Sequence, residues 1–218
     1  MPRAAFRHVQ TWVFDLDNTL YPPEGRLFDQ IETRMTAWVM RSLGVDHDHA
    51  NHLRDHYWRE HGTTLAGLMA EHGTEPDPYL EAVHDIDLSM IAPHPELAEA
   101  VARLPGRKVV FTNGSRGHAR KVTAALGLTG VFDALYGFED AGYEPKPRPA
   151  AFAKVFAADG LAPERAAMFE DDPRNLAVPH ALGMRTVLVG PAPAGAAPRP
   201  AHVHHVTDDL VGFLARLP

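Results

Sequence analysis

Trp12-Val13-Phe14-Asp15-Leu16-Asp17-Asn18-Thr19-Leu20 is the stretch around which the chain is organised. The run of aromatic and β-branched residues from Trp12 to Phe14 stops at Asp15, which reads as a buried strand delivering carboxylates at its C-terminal end. Open α/β sheets bind their ligands at that end of the strands. Alternate side chains of an extended chain share a face, so Asp15 and Asp17 are expected to turn toward one point if extension persists past Phe14. Two neighbouring carboxylates repel unless a cation joins them. Mg²⁺, a hard ion that takes oxygen ligands and bridges carboxylate to phosphate, is the expected guest. Asp-x-Asp is also common in solvated turns, and its place after a buried strand is what sets this one apart.

Downstream, Tyr21-Pro22-Pro23-Glu24-Gly25 breaks the chain away from the sheet. Leu27, Ile31, Met35, Trp38 and Val39 then recur at helical spacing up to a capping Gly44. Further helices are expected over Asp46 to His61, from Thr63 or Thr64 to Gly73, and after Pro76 through Val83. Between Leu27 and Ile91 no strand pattern occurs, which predicts an inserted helical cap domain at 21–91, with the core formed by 1–20 and 92–218. Beyond Pro95 helix and strand patterns alternate. Helices over Glu96–Leu104, Ser115–Leu126, Pro149–Ala158 and Pro173–Leu182 separate strands at Lys108–Phe111, Ala134–Phe138, Ala166–Phe169 and Thr186–Val189. The expected fold is therefore α/β, a Rossmann-like doubly wound parallel sheet with a helical cap after the first strand. Pro191 to Pro200 reads as a loop, with an edge strand over Val203–Val206 and a closing helix over Thr207–Leu217.

Three more strand ends carry polar groups. Thr112-Asn113-Gly114-Ser115 offers a hydroxyl, an amide, a glycine and a helix N-terminus; it suits either a phosphate cradle or a simple strand-to-helix turn capped by Ser115. Lys146, between Pro145 and Pro147, is either a solvated loop lysine or an ammonium held against a phosphate and a carboxylate. In Glu170-Asp171-Asp172-Pro173, Asp172 reads as a helix N-cap before proline, leaving Glu170 and Asp171 as metal-ligand candidates.

Taken in order, Asp15-Leu16-Asp17-Asn18-Thr19, Thr112 in Phe-Thr-Asn-Gly-Ser, Lys146 in Glu-Pro-Lys-Pro, and Glu170-Asp171 resemble the motifs of haloacid dehalogenase-like phosphohydrolases, from about Trp12 to Gly190. Leu20-Tyr21-Pro22, Gln30-Ile31, Gly62-Thr63-Thr64-Leu65, Val83-His84-Asp85-Ile86-Asp87 and Arg174-Asn175 look like the pyrimidine 5′-nucleotidase-like branch. The resemblance implies that Asp15 is a nucleophile forming an aspartyl-phosphate, and Asp17 the acid that protonates the leaving oxygen and then the base for water. The dehalogenase branch lacks an aspartate at that second place, so Asp17 favours phosphate-ester hydrolysis. By the same resemblance Mg²⁺ is held by the Asp15 carboxylate, the Asp17 backbone carbonyl and Asp171, with Glu170 supporting it through waters. Thr112, Asn113 and Lys146 would hold the phosphoryl group, and Tyr21, Thr63 and His84 are candidate substrate contacts. Asp172 stands where serine is common in the family.

The implied activity is a Mg²⁺-dependent phosphatase for small monoesters, with pyrimidine nucleoside 5′-monophosphates, phosphoglycolate or sugar phosphates as candidate substrates and a phosphomutase as a related possibility. A phosphorylation-sensing or non-catalytic binding module is the alternative from another class. His49, His52 and His56 share a helix side, and His52 with His56 has zinc-pair spacing, but no third ligand accompanies them and a solvated face is expected. The 45% hydrophobic and 22% charged composition is that of an ordinary globular protein. A formal net charge of −7 with no basic stripe argues against a nucleic-acid polymer as partner. The absence of cysteine excludes disulfides and thiolate chemistry. With no apolar signal core after Met1–Gln10 and no stretch of membrane-span length, a cytoplasmic protein acting away from membranes is expected.

Overall fold

The computed structural model describes residues 2–23, 26–191 and 199–217. Glu24 and Gly25 of the breaker cluster, and 192–198 of the proline- and alanine-rich loop, lie outside the described residues. The apolar run forms β1, Thr11–Phe14. It is joined in an all-parallel sheet by β2 (Arg107–Phe111), β3 (Ala134–Tyr136), β4 (Ala166–Glu170), β5 (Arg185–Val189) and β6 (His205–Thr207). The order is β3-β2-β1-β4-β5-β6, so successive connections run outward in opposite directions from the β1–β4 pair. A crevice opens at such a switch point.

Side chains of β1 alternate between two cores. Trp12 and Phe14 pack with Val110 and Phe169 against α6 (Pro95–Ala102), α7 (Arg116–Ala125) and α10 (Leu210–Ala215). Val13 packs on the opposite face with Val109, Phe111 and Met168 against α8 (Pro149–Asp159). Burial on both faces is why these strands read as unbroken apolar runs.

The segment between β1 and β2 folds as α2 (Leu27–Leu43), α3 (His47–His61), α4 (Thr64–His72) and α5 (Pro76–Val83). Asp46 and Thr63 cap α3 and α4 by accepting from the His49 and Ala66 amides, and Gly44, at φ 67°, ends α2 by donating to the Met40 carbonyl. These helices enclose a cluster including Ile31, Val39, Tyr57, Leu68 and Leu80, which Phe138 joins from the loop after β3. α4 lies against α3 at Gly67, where an added Cβ would overlap the Cβ and ring of the fully buried Tyr57. Gly67→Ala is therefore expected to cost about 1–3 kcal/mol, read as a fall of several degrees in the thermal midpoint.

Several boundaries differ from the sequence-based expectation. Pro173–Leu182 divides into a 3₁₀ turn, Pro173–Leu176, and α9, Ala177–Ala181. Thr207 closes β6, so the last helix begins after its own cap, Asp209. A short helix α1, Pro2–Ala5, has no signal in the pattern. No helix of the described residues is long and apolar enough to cross a membrane.

Candidate active site

Three strand ends, those of β1, β2 and β4, converge on Lys146 in the loop after β3. Its side chain is 1% exposed and its Nζ donates to Asp15 Oδ1 at 2.7 Å, Glu170 Oε2 at 2.8 Å and the Phe111 carbonyl at 2.9 Å. All three ammonium hydrogens are thereby used, and the solvated-loop alternative does not hold. Burial opposes the charge, but Asp15 and Glu170 outweigh it and hold Lys146 above the ordinary lysine range. The loop is pinned at its backbone too: Lys146 N–H donates to Asn113 Oδ1 at 2.8 Å and Asn113 Nδ2 donates to the Lys146 carbonyl at 3.1 Å. Asn113, expected to grip phosphate, lines the cavity but has both ends of its amide committed to this loop.

Asp15 continues the β1–β4 ladder, its N–H donating to the Phe169 carbonyl. Burial pushes its carboxyl up to about 7; Lys146 opposes this, and Asp171 and Asp17 add to it. Burial, with Asp15 beside it, also raises Glu170, whose second oxygen accepts from Asn175 Nδ2 at 3.0 Å. Asp171 is raised mainly by burial. Ligand oxygens of Asp15, Glu170 and Asp171 lie within 4.8 Å of one another, the sole such group of three among the described residues. His52 and His56 accordingly have no third companion; His56 faces Glu71 at 3.7 Å, as His61 does at 2.9 Å.

Asp17 is not the extended partner of Asp15. β1 stops at Phe14 and the chain turns, with Leu20 N–H donating to the Leu16 carbonyl. The turn carries Asp17 toward α7, where its Oδ1 accepts from His118 Nε2 at 2.8 Å and from the Tyr21 hydroxyl at 2.6 Å. Burial would raise this carboxyl, but His118 and Tyr21 outweigh it and hold it at about 2. The His118 ring, with 1% of its side chain exposed, stacks on His84 at 4.3 Å and 14°. Burial, reinforced by His118, pushes His84 down to about 3. Ser115 Oγ caps α7 at the His118 amide and lies 3.1 Å from His84 Nδ1, while Thr112 Oγ1 accepts from the Gly114 amide.

Above this floor is a cavity of about 890 Å³. Its floor includes Asp15, Asp17, Thr112, Lys146 and Asp171, and its roof includes Phe28, Ile31, Met35, Leu80 and Val83. Of the candidate substrate contacts, His84 and Thr63 line it, although Thr63 Oγ1 is engaged as the α4 cap. Tyr21 does not line it, because its hydroxyl is bound to Asp17. Asp172 caps the 3₁₀ turn and grips Arg174, whose guanidinium lies 3.6 Å from the Trp58 ring centroid at the cavity wall. Arg174 enters the sequence reading only within the Arg174-Asn175 motif, and neither it nor Trp58 nor His118 is given a role there; the Phe-Thr-Asn segment leading into a capped helix is the available pointer to His118.

Residues 9–183 match the family profile of the haloacid dehalogenase-like hydrolases. The chain is 28% identical over 180 residues to Phosphate metabolism protein 8 of Saccharomyces cerevisiae, covering 75% of this chain and 56% of that protein. It is 26% identical over 155 residues to (S)-2-haloacid dehalogenase of Xanthobacter autotrophicus, covering 69% and 58%. It thus spans a little over half the length of these curated relatives. Among solved structures, CbbY from Rhodobacter sphaeroides in complex with phosphate superposes with a TM-score of 0.63 at 20% identity, over 94% of this chain and 96% of that one. Magnesium-bound YfnB from Bacillus subtilis gives 0.59 at 17% identity, over 95% and 97%. At such identities the shared property is the fold. Since the family profile runs from the residues before β1 to Gly183, past each strand end that builds the site, the chain belongs to the haloacid dehalogenase-like hydrolases.

Proposed function

We propose that this hydrolase is a Mg²⁺-dependent phosphatase of small phosphate monoesters. The observation that carries the reading is a buried carboxylate, Asp15, fixed by Lys146, with a second carboxylate, Asp17, lining the same cavity but held by a separate set of partners. A halide leaves unprotonated, whereas an alkoxide needs a proton, so a dedicated second carboxylate suits an oxygen leaving group. The names of the relatives point both ways, to phosphate metabolism and to dehalogenation.

In this reading an Asp15 oxygen attacks phosphorus, and the bond from phosphorus to the ester oxygen breaks as Asp17 protonates that oxygen. Water then attacks the aspartyl-phosphate, Asp17 takes its proton, and inorganic phosphate departs. Asp17 has to hold a proton when the ester bond breaks, and the negative charge of an arriving phosphate acts in that direction, against the pull of His118 and Tyr21. Lys146 keeps Asp15 oriented and compensates its charge.

The oxygen-only donor set of Asp15, Glu170 and Asp171 fits a hard divalent cation, and their raised carboxyls mark a place where Lys146 alone under-compensates the acid. When bound, Mg²⁺ neutralises charge on the transferring phosphoryl group. A linkage consequence follows. Asp15, at 3.8 when unfolded and about 7 when folded, binds more protons in the folded state between those values, so without metal its contribution to stability falls as pH rises through that window. His84, pushed down to about 3, acts the other way between that value and 6.5, so the readout is the metal: millimolar Mg²⁺, which needs ionised carboxylates, is expected to raise the midpoint more at pH 7 than at pH 5. Thermal melts across that range with and without Mg²⁺ check it; equal Mg²⁺ shifts at both pH values would contradict it.

The roof bears on the leaving group. A sugar phosphate or phosphoglycolate would leave Phe28, Ile31, Met35 and Leu80 unmatched, whereas a cavity of about 890 Å³ suits a nucleoside. Pyrimidine nucleoside monophosphates therefore head the candidates, with segment 21–91 as the cap that selects them. The test is phosphate release, with and without Mg²⁺, from nucleoside monophosphates, phosphoglycolate and sugar phosphates, beside halide release from 2-haloacids. Halide release with no phosphate release would replace this function by dehalogenation.

A further inference from the structure

His118 and Tyr21 act on one oxygen of Asp17. Both donate to Oδ1, at 2.8 Å and 2.6 Å. Oδ2 accepts no hydrogen bond among the described residues, and Asp17 lines the cavity. The two oxygens of one carboxyl are thereby made unequal: Oδ1 is anchored by two donors and Oδ2 is left without one in a side chain that lines the cavity. Because an ionised carboxylate only accepts, His118 Nε2 carries the hydrogen in this contact.

The ring that supplies this bond is itself held. His118 packs face to face with His84, which ends α5, while Ser115 Oγ meets the His118 amide and lies 3.1 Å from His84 Nδ1. His118 Nδ1 is buried with no partner among the described residues, so the ring's polar contact to another side chain is the one to Asp17. An apolar side chain would fill this site with no unpartnered nitrogen, and a structural role alone does not explain a histidine here.

We propose that His118 is a positioning residue, which together with Tyr21 anchors Asp17 Oδ1 and so presents Oδ2 as the oxygen that gives its proton to the leaving group. The inference rests on the phosphatase reading above. In the step concerned, a bond forms between Asp15 and phosphorus, the ester bond breaks with its electron pair going to the leaving oxygen, and the proton passes from Asp17 Oδ2 to that oxygen.

The signature is a dependence on leaving-group basicity, because p-nitrophenolate departs without a proton while an alkoxide requires one. Single-turnover rates of the first phosphoryl transfer are to be measured with p-nitrophenyl phosphate and with an alkyl phosphate. His118→Leu is expected to slow the alkyl ester about 10- to 100-fold and p-nitrophenyl phosphate less than about 3-fold, with little change in KM. His118→Gln, which can restore an N–H near the Nε2 position, should recover most of the loss. Tyr21→Phe removes the other donor to Oδ1 and should show the same selectivity, which keeps the test decisive if His118→Leu fails to fold. Equal slowing of both esters, or no slowing of either, in the folded variants would overturn the inference and leave the phosphatase reading standing. A wild-type protein inert to every phosphate ester, or a fully active Asp17→Asn, would instead overturn that reading and this inference with it.

Discussion

Asp15→Asn is expected to reduce phosphate release by about 10⁴-fold or more on any ester the protein hydrolyses, while the fold survives. The size follows from the role: an amide is no nucleophile toward phosphorus, and the remaining groups can bind and polarise the ester without offering a route around the covalent step. Survival of the fold follows from electrostatics. Asp15 lies beside Glu170, Asp171 and Asp17, and burial already raises its carboxyl to about 7. An asparagine there removes one charge from a crowded acidic cluster and still offers an oxygen to Lys146 Nζ. In metal-free buffer at pH 7 the variant is therefore expected to melt no lower than the wild type, and its midpoint to respond less to Mg²⁺. Phosphate release within about tenfold of wild type would remove Asp15 from the nucleophile's role.

Lys146→Met is expected to act on both stability and activity. The substitution roughly preserves volume but deletes the ammonium shared by Asp15, Glu170 and the Phe111 carbonyl. Removing one member of a buried, hydrogen-bonded charge cluster costs about 3–5 kcal/mol, because the partners remain buried and lose their compensation. For a chain of 218 residues this corresponds to a fall in the thermal midpoint of roughly 10 °C. Activity should fall by about 10³-fold, as a fixed charge at the phosphoryl site is lost. Lys146→Arg should recover little, since a planar guanidinium cannot match three acceptors converging on one atom in a site 1% exposed. Thermal melts beside phosphate-release assays read both effects. A stable and active Lys146→Met would show that the cluster is compensated by some other group.

The parts of this molecule legible beforehand are those written in local periodicity. Trp12 to Phe14 is buried on both faces, so the strand appears as a continuous apolar run that breaks where the chain leaves the sheet. The helices between Leu27 and Val83 carry their stripes and caps within a few residues of each other, and Asp172 before Pro173 caps a turn as read. Asp15, Lys146, Glu170 and Asp171 were placed together because a parallel sheet brings strand ends to one edge whatever the loops between them do.

Tertiary structure decided which atom of each candidate faces which partner. Asp17 and His118 are separated by 101 residues, and Asn113 and Lys146 by 33, so no periodic pattern links them. The direction of the Asp17 side chain depends on the turn from Leu16 to Leu20 that follows the last ladder bond at Asp15, which takes it into the reach of α7. Sequence by itself determined the sheet, the inserted helices and the acidic edge, because these follow from burial repeated along the chain. The anchoring of Asp17 Oδ1, the pinning of Lys146 by Asn113 and the stacking of Arg174 on Trp58 arose only in the folded molecule, because a hydrogen bond or stacked pair is fixed by tenths of an ångström between distant segments.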